Sequence, residues 1–162
     1  MCSILWGNRM GNERNVNIGN SGEYFVAAEL ERRGLICAVP MSNVKVFDLL
    51  AINPDTLEQF AIQVKTTEKK SKDWLLSEKN ECFFGANFFY VFVSLNYLEQ
   101  PEYHIVPSEV VARRIKADYE EWLITPGRNG QKHNTNNKRH FKDRANEYLD
   151  KWDYLTGNQN NT

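Results

Sequence analysis

Four side chains in the first half of the chain could together support metal-assisted hydrolysis: Glu23, Asp48, Gln63 and Lys65. Asp48 has apolar neighbours on both sides, where a carboxylate is costly unless it is paired or bound to a cation. In a strand, the side chains of Gln63 and Lys65 point to the same face because alternate residues do. Carboxylate and amide oxygens are ligands that Mg²⁺ accepts, and a nearby lysine can assist the attack of water on a phosphodiester.

Each of these residues also has an ordinary structural explanation. Asp48 could cap a turn or pair with Lys65, and a Gln-x-Lys sequence arises by chance in many strands. The interpretation depends on the combination: a glutamate in a helix, then an aspartate 15 residues before the Gln-x-Lys, in two strands joined by a hairpin.

The pattern of apolar and turn-forming residues predicts elements that would position these side chains. A helix is expected over 18–33, ended by Gly34, with Glu23 on it. Strands are expected over 35–39, 44–52 and 59–66. The turn at Asn53-Pro54-Asp55 joins the last two into a hairpin, in which Gln63 comes close to Asp48.

The rest of the chain predicts an α/β fold with a mixed central sheet flanked by helices. The expected elements are a short strand at 74–76, a short helix over 78–84, a buried strand over 87–95, a strand over 102–106 and helices over 108–123 and 143–152. We expect His104 to be structural rather than a metal ligand. We expect the core, rather than a base-stacking platform, to contain Trp122, Trp152, Phe83 and Phe84.

Length, composition and charge narrow the class of protein. A chain of 162 residues suits one domain over 1–162, with a motif-bearing core at 18–106 and C-terminal helices and a basic loop at 107–162. The net charge of −1 excludes a uniformly basic nucleic-acid binder but allows a local basic patch. With no membrane-length apolar run, no apolar signal segment and three widely spaced cysteines, a cytoplasmic protein with free thiols is expected.

Two groups of basic residues are candidates for contacts with DNA phosphates. One follows the Gln-x-Lys sequence, and the other lies in the polar, basic run 127–144, which is expected to be a long loop. The candidate DNA-binding residues are Lys69, Lys70, Lys72, Arg128, Lys138, Arg139 and Lys142. For both groups a solvated loop is the alternative.

The motifs resemble those of the PD-(D/E)xK nuclease superfamily, and those of archaeal Holliday-junction resolvases in particular. Gly19 and Glu23 match the helix motif, and Gly34 matches the end of that helix. The strand motifs match Asp48-Leu49-Leu50-Ala51 and Gln63-Val64-Lys65. Two positions depart from the pattern, since Phe47 replaces a proline and Gln63 replaces an acidic residue; the endonuclease subunit of heteromeric transposases has a similar Gln-Val-Lys.

The resemblance implies a restriction-endonuclease-like fold and a Mg²⁺- or Mn²⁺-dependent DNA endonuclease, with branched or junction DNA as one substrate class. Asp48, Gln63, the Val64 carbonyl and Glu23 would hold the metal, and Lys65 would act on the attacking water. The alternative is a catalytically inactive module on the same fold that binds nucleic acid or a partner. The expected partners are DNA and a second subunit, such as a homodimer mate, and no membrane.

Overall fold

The computed structural model describes residues 3–40 and 46–157, with side chains from residue 13 onward. Its helices are α1 (Ser3–Arg32), α2 (Ser108–Ile124) and α3 (Asp153–Thr156), with a short 3₁₀ helix at Glu78–Glu81. The strands are β1 (Ile36–Ala38), β2 (Leu49–Ile52), β3 (Gln59–Thr67), β4 (Asp73–Ser77), β5 (Phe88–Ser94), β6 (Glu102–Pro107) and β7 (Lys138–Lys142).

Five strands form a mixed central sheet in the order β1-β2-β3-β5-β6. Only the β3–β5 pair is parallel, and the other three pairs are antiparallel. A second, two-stranded sheet consists of β4 and β7, which run antiparallel. The predicted α/β architecture with a mixed central sheet and flanking helices is therefore confirmed.

Two apolar clusters cover the two faces of the central sheet. On one face, Val26 and Leu30 of α1 pack with Ile62, Val91 and other buried residues of the sheet. On the other face, the β4–β7 sheet and α2 pack against β5 through Trp74, Tyr90, Phe92, Phe141 and Ile115. All of β5 is buried, as its continuous apolar sequence predicts.

Two predicted boundaries near the candidate site are wrong. The first helix begins at Ser3 rather than at residue 18, so Gly19 and Gly22 lie in its middle and not in its first turns. No apolar periodicity marks the added turns, because residues 13–17 of α1 are exposed. Strand β2 begins at Leu49, so Asp48 precedes it, and the expected strand residues 44 and 45 lie outside the described residues.

The C-terminal part also differs from the sequence prediction. The helix expected over 143–152 is absent from the described chain, because the Asp143 carboxylate accepts backbone N–H bonds from Glu147 and Tyr148, both 2.9 Å, and shapes a turn. The same carboxylate bonds Nδ1 of the fully buried His104 at 2.6 Å, which confirms the structural placement of His104.

The run 127–144 is a loop only as far as residue 137, because β7 follows it. Along β7, Lys138, His140 and Lys142 alternate with the buried Arg139 and Phe141. This is the period of a half-buried strand, but an arginine on the buried face conceals the pattern in the sequence.

No helix in the described part of the chain is long and apolar enough to cross a membrane. Cys37 and Cys82 are free cysteines, as predicted, and Cys2 lies outside the described residues. Burial raises the pKa of the Cys37 thiol to about 11, and the charge of Glu31 adds to this effect, so the thiol is inert as a nucleophile at neutral pH.

Candidate active site

The Asp48 carboxylate is held by the backbone at the point where β2 begins. The Asp48 N–H donates to the Ile62 carbonyl at 2.8 Å, and the Val64 N–H donates to Asp48 Oδ2 at 2.7 Å. The last regular pair of the two strands is Leu49↔Ile62, so the carboxylate takes the place of a strand acceptor for Val64. Asp48 is thus fixed against β3 without belonging to a strand.

Gln63 contacts Asp48 directly, in agreement with the predicted hairpin register. Its side-chain Nε2 donates to Asp48 Oδ2. The amide nitrogen of Gln63 faces the carboxylate because it can donate a hydrogen bond to it, whereas the amide oxygen would be repelled. Gln63 Oε1 is consequently the atom of this side chain that does not bond Asp48.

Lys65 follows on the same face of β3 and lines the same cleft, of about 590 Å³, as Gln63. Burial lowers the pKa of its ammonium, while the negative charges of Asp48 and Glu23 act in the opposite direction. Burial prevails, so Lys65 gives up its proton more readily than an exposed lysine does. A lysine whose pKa is lowered in this way is better suited to proton transfer than an exposed lysine.

Glu23 reaches the site from α1, which covers the other face of the sheet. Because the β2–β3 pairing stops at Leu49↔Ile62, β2 does not separate the two faces beside Val64 and Lys65. Burial raises the pKa of the Glu23 carboxyl, the charge of Asp48 raises it further, and Lys65 partly offsets the rise. The Glu23 carboxyl is therefore electrostatically coupled to Asp48 and Lys65 across the edge of β3.

Gly22 permits the close approach of α1, and the sequence analysis missed this role. A Cβ at this position would overlap the Thr66 side chain on β3, whereas a Cβ on Gly19 would meet no neighbour within 4 Å. The residue that needs to be glycine is therefore Gly22, next to Glu23, and not the motif glycine Gly19. A glycine immediately before a candidate catalytic residue is the sequence signal for such an approach.

The oxygen atoms at the site suit a hard divalent cation. Glu23 and Asp48 supply carboxylates and Gln63 an amide oxygen. The Val64 N–H points to Asp48, and a strand residue directs its N–H and carbonyl to the same edge, so the Val64 carbonyl also faces this side. No three His, Cys, Asp or Glu side chains of the described chain group as metal ligands by themselves, so Gln63 would have to complete the set.

Part of the wall of the cleft was not predicted. Leu75, Lys79 and Phe83 line it together with Gln63 and Lys65. The expectation that Phe83 and Phe84 lie in the core is wrong, because they are 39% and 55% exposed. The same correction applies to Trp122, which is 37% exposed, whereas Trp152 is buried as expected.

Of the candidate DNA-binding residues, all but Arg139 have side chains that are accessible or partly accessible to solvent. Lys69, Lys70, Arg128, Lys138 and Lys142 are exposed, and Lys72 bonds the side chain of Asn146. The expectation that Arg139 is available to phosphates is wrong. Its guanidinium is buried, pairs with Glu81 and lies 3.3 Å from the centre of the Tyr119 ring.

The outer face of the β4–β7 sheet carries a row of basic residues on β7. Lys138, His140 and Lys142 lie opposite Ser77, Leu75 and Asp73, respectively. Ser77 and Leu75 also line the cleft with Gln63 and Lys65. The basic side chains themselves line a second cleft, of about 320 Å³, together with Tyr119 and Trp122 of α2.

Comparison with known proteins supports the fold and goes no further. No protein-family model and no curated protein matches the sequence. Among solved structures, a bacterial homing endonuclease superposes with a TM-score of 0.50 at 13% sequence identity, over 85% of this chain and 88% of that one. The chain has the restriction-endonuclease-like fold.

A Holliday junction resolvase from Archaeoglobus fulgidus also matches this restriction-endonuclease-like chain. The TM-score is 0.46 and the identity 14%, over 77% of this chain and 84% of that one.

Proposed function

We propose that this protein is a Mg²⁺- or Mn²⁺-dependent DNA endonuclease that hydrolyses phosphodiester bonds, with branched or junction DNA as a candidate substrate. The observation that supports the proposal is that Lys65 and Gln63, which bonds Asp48, line one cleft, with the Glu23 carboxyl electrostatically coupled to Asp48 and Lys65. These residues come from three different elements, so sequence proximity does not explain their meeting.

Asp48, Glu23, Gln63 and the Val64 carbonyl would hold the cation. Their fit to a cation is supported by the raised pKa of the Glu23 carboxyl, which is due to burial and then to the negative charge of Asp48. A bound Mg²⁺ supplies stabilisation of the negative charge that develops on the phosphate oxygens. To serve as a ligand, Gln63 would present its Oε1 to the cation.

Lys65 is the group best placed to handle the proton of the attacking water or to stabilise the charge at phosphorus. Its lowered pKa, due to burial, makes the neutral amine accessible, and its position beside Asp48 and Glu23 keeps it near the acids. The exposed residues Lys69, Lys70, Arg128, Lys138 and Lys142, with Lys72, would contact DNA phosphates. A homodimer would bring two such sites to the two strands of a duplex.

The second candidate is a catalytically inactive module that binds nucleic acid or a partner. It is favoured by one observation, the hydrogen bond from Gln63 to Asp48, which satisfies the carboxylate without a cation. Because Gln63 replaces an acidic residue, the site has one negative charge fewer for the attraction of Mg²⁺.

A cleavage assay on branched and linear DNA, with Mg²⁺ or Mn²⁺, tests the proposal. We expect Asp48→Asn and Lys65→Ala to lower the rate by about 10²-fold or more, as the loss of a catalytic group does. Asp48→Asn is preferable to Asp48→Ala because it keeps an acceptor for the Val64 N–H. Asp48→Asn should also weaken metal binding in calorimetry, whereas Lys65→Ala should not.

The inactive module makes the opposite prediction. It is the better description if the wild type binds DNA but cleaves none of these substrates with either metal, and if Gln63→Glu restores no cleavage.

A further inference from the structure

The cleft that contains Gln63 and Lys65 has an apolar wall, which does not contribute to phosphate binding. Leu75 and Phe83 form part of it and are 57% and 39% exposed, and Val46, at 48%, lies on the same cleft. A DNA backbone presents phosphates and sugars, which make polar and ionic contacts. An apolar wall beside a phosphate-binding lysine instead suits the face of a base.

The polar side chains on the other side of the cleft already bond one another. The Ser77 N–H and hydroxyl donate to Asn80 Oδ1 at 3.0 and 3.1 Å, and Asn80 Nδ2 donates to the Tyr90 hydroxyl at 2.9 Å. Gln63 is bonded to Asp48. These bonds hold the shape of the cleft, and the exposed apolar side chains of Leu75 and Phe83 offer a base a contact through its face.

Phe83 is held in position before any ligand binds. Its ring makes an edge-to-face contact with Phe88, with centroids 4.9 Å apart and an interplanar angle of 72°. Phe88 is itself buried at the start of β5. A fixed aromatic ring loses little entropy on stacking. The exposed Lys79 lines the same cleft and adds a positive charge for a phosphate.

We infer that this cleft seats an unpaired DNA base against Phe83 and Leu75, with the adjoining phosphate toward Lys65 and Lys79. The cleft volume of about 590 Å³ can hold one nucleotide. The inference rests on the proposed function and specifies its substrate: single strands, flaps or junctions with unpaired bases beside the cleaved phosphate, rather than continuous duplex. Since every base has a stackable face, selection is by DNA structure and not by sequence.

Fluorescence anisotropy with the full chain in EDTA tests this, because it measures binding without cleavage. The probes are labelled oligo(dT), a blunt duplex of equal length and a splayed fork. We expect Phe83→Ala to weaken oligo(dT) and fork binding by about tenfold, as the loss of one stacked base does, and to change duplex binding by less than about twofold. The matched control is Phe84→Ala, which removes a more exposed phenylalanine outside the cleft and should change neither.

Several results would overturn the inference. The first is a wild type that binds blunt duplex as tightly as oligo(dT). The second is an equal loss of binding affinity for Phe83→Ala and Phe84→Ala. The third is an equal loss of affinity for oligo(dT) and for duplex in Phe83→Ala. If thermal denaturation shows that Phe83→Ala does not fold, Leu75→Ala, at an exposed strand position, takes its place with the same criteria.

A parallel cleavage assay with Mg²⁺ separates the two proposals. If the variants show the expected binding pattern but no substrate is cleaved, the nuclease proposal is wrong and the base-binding cleft stands. Cleavage confined to continuous duplex would contradict the base-binding cleft and leave the nuclease.

Discussion

At the scale of single residues, the candidate site holds charges that the fold does not fully compensate. Burial and the charge of Asp48 raise the pKa of Glu23, and burial lowers that of Lys65, so both groups favour their neutral forms more than in water. Such paired shifts are common at catalytic sites. They also mean that ionisation of these groups costs stability.

Replacement of Glu23 tests this cost. A carboxyl whose pKa is raised by folding stabilises the protein below its ordinary pKa of 4.5, and this contribution is lost as the pH rises through the raised value. We therefore expect Glu23→Gln to melt at a higher temperature than the wild type at neutral pH, with a difference that shrinks below the ordinary pKa. Thermal denaturation in EDTA measures it. The control Glu13→Gln, on an exposed part of α1, should show no such trend.

The Gln63 substitution has consequences for metal affinity. In Gln63→Glu a third acid faces Asp48 and Glu23, so we expect a lower melting temperature without metal and a Mg²⁺ affinity higher by about tenfold. The wild type should need millimolar-scale Mg²⁺ or prefer Mn²⁺. Calorimetry and metal-induced shifts in melting temperature measure both effects. Gln59→Glu, at an exposed position of the same strand, is the control, and an equal gain there would refute a role for Gln63.

At the scale of elements, the approach of α1 to β3 decides whether Glu23 reaches the site. Gly22 lies against Thr66, and there is no room for a Cβ between them. The helix is otherwise fixed on the sheet by Val26 and Leu30, which are fully buried. A small shift of α1 would therefore move Glu23 away from Asp48 while most of the core remained packed.

Alanine substitutions at the two mid-helix glycines distinguish packing from helix propensity. We expect Gly22→Ala to lower the free energy of unfolding by about 1–3 kcal/mol, as overpacking does, and to reduce cleavage. Gly19→Ala meets no neighbour, so it should stabilise the helix by up to about 1 kcal/mol without loss of cleavage. Urea denaturation and initial cleavage rates test the pair. Equal effects of the two changes would show that the contact with Thr66 is unimportant.

At the scale of the whole molecule, the surface that we assign to DNA combines distant parts of the chain. Strand β4 follows the Gln-x-Lys strand, whereas β7 comes after the long loop near the C-terminus, and they meet as one sheet. The buried pair of His104 and Asp143 fixes the segment after β7 to β6. The basic row on β7 thereby lies opposite the cleft residues Leu75 and Ser77 of β4, although the chain carries a net charge of −1.

The salt dependence of DNA binding tests this surface. Neutralisation of Lys138 and Lys142 together should weaken binding and reduce the slope of log K against log salt by up to about two, one for each lost phosphate contact. The double change Arg113→Ala, Lys116→Ala removes the same charge from the exposed side of α2 and should leave the slope unchanged. If both pairs flatten the slope equally, the effect is one of net charge and not of the β7 row.

The sequence by itself determined the hairpin and the site residues that it brings together. Asp48 immediately precedes one strand, and Gln63 and Lys65 lie on the next strand beyond a recognisable turn, so strand periodicity and hairpin register sufficed to place Gln63 beside Asp48. The buried β5 was equally clear, because a continuous apolar run has few other interpretations.

Only the tertiary structure decided the features that depend on contacts between distant segments. β7 became a strand because β4 supplies its partner, and Arg139 is buried because Glu81 and Tyr119 compensate its charge. Gly22 is required because Thr66, 44 positions later in the sequence, lies against it. Local propensity contains no information about such partners, since packing and charge compensation arise only when the chain has folded.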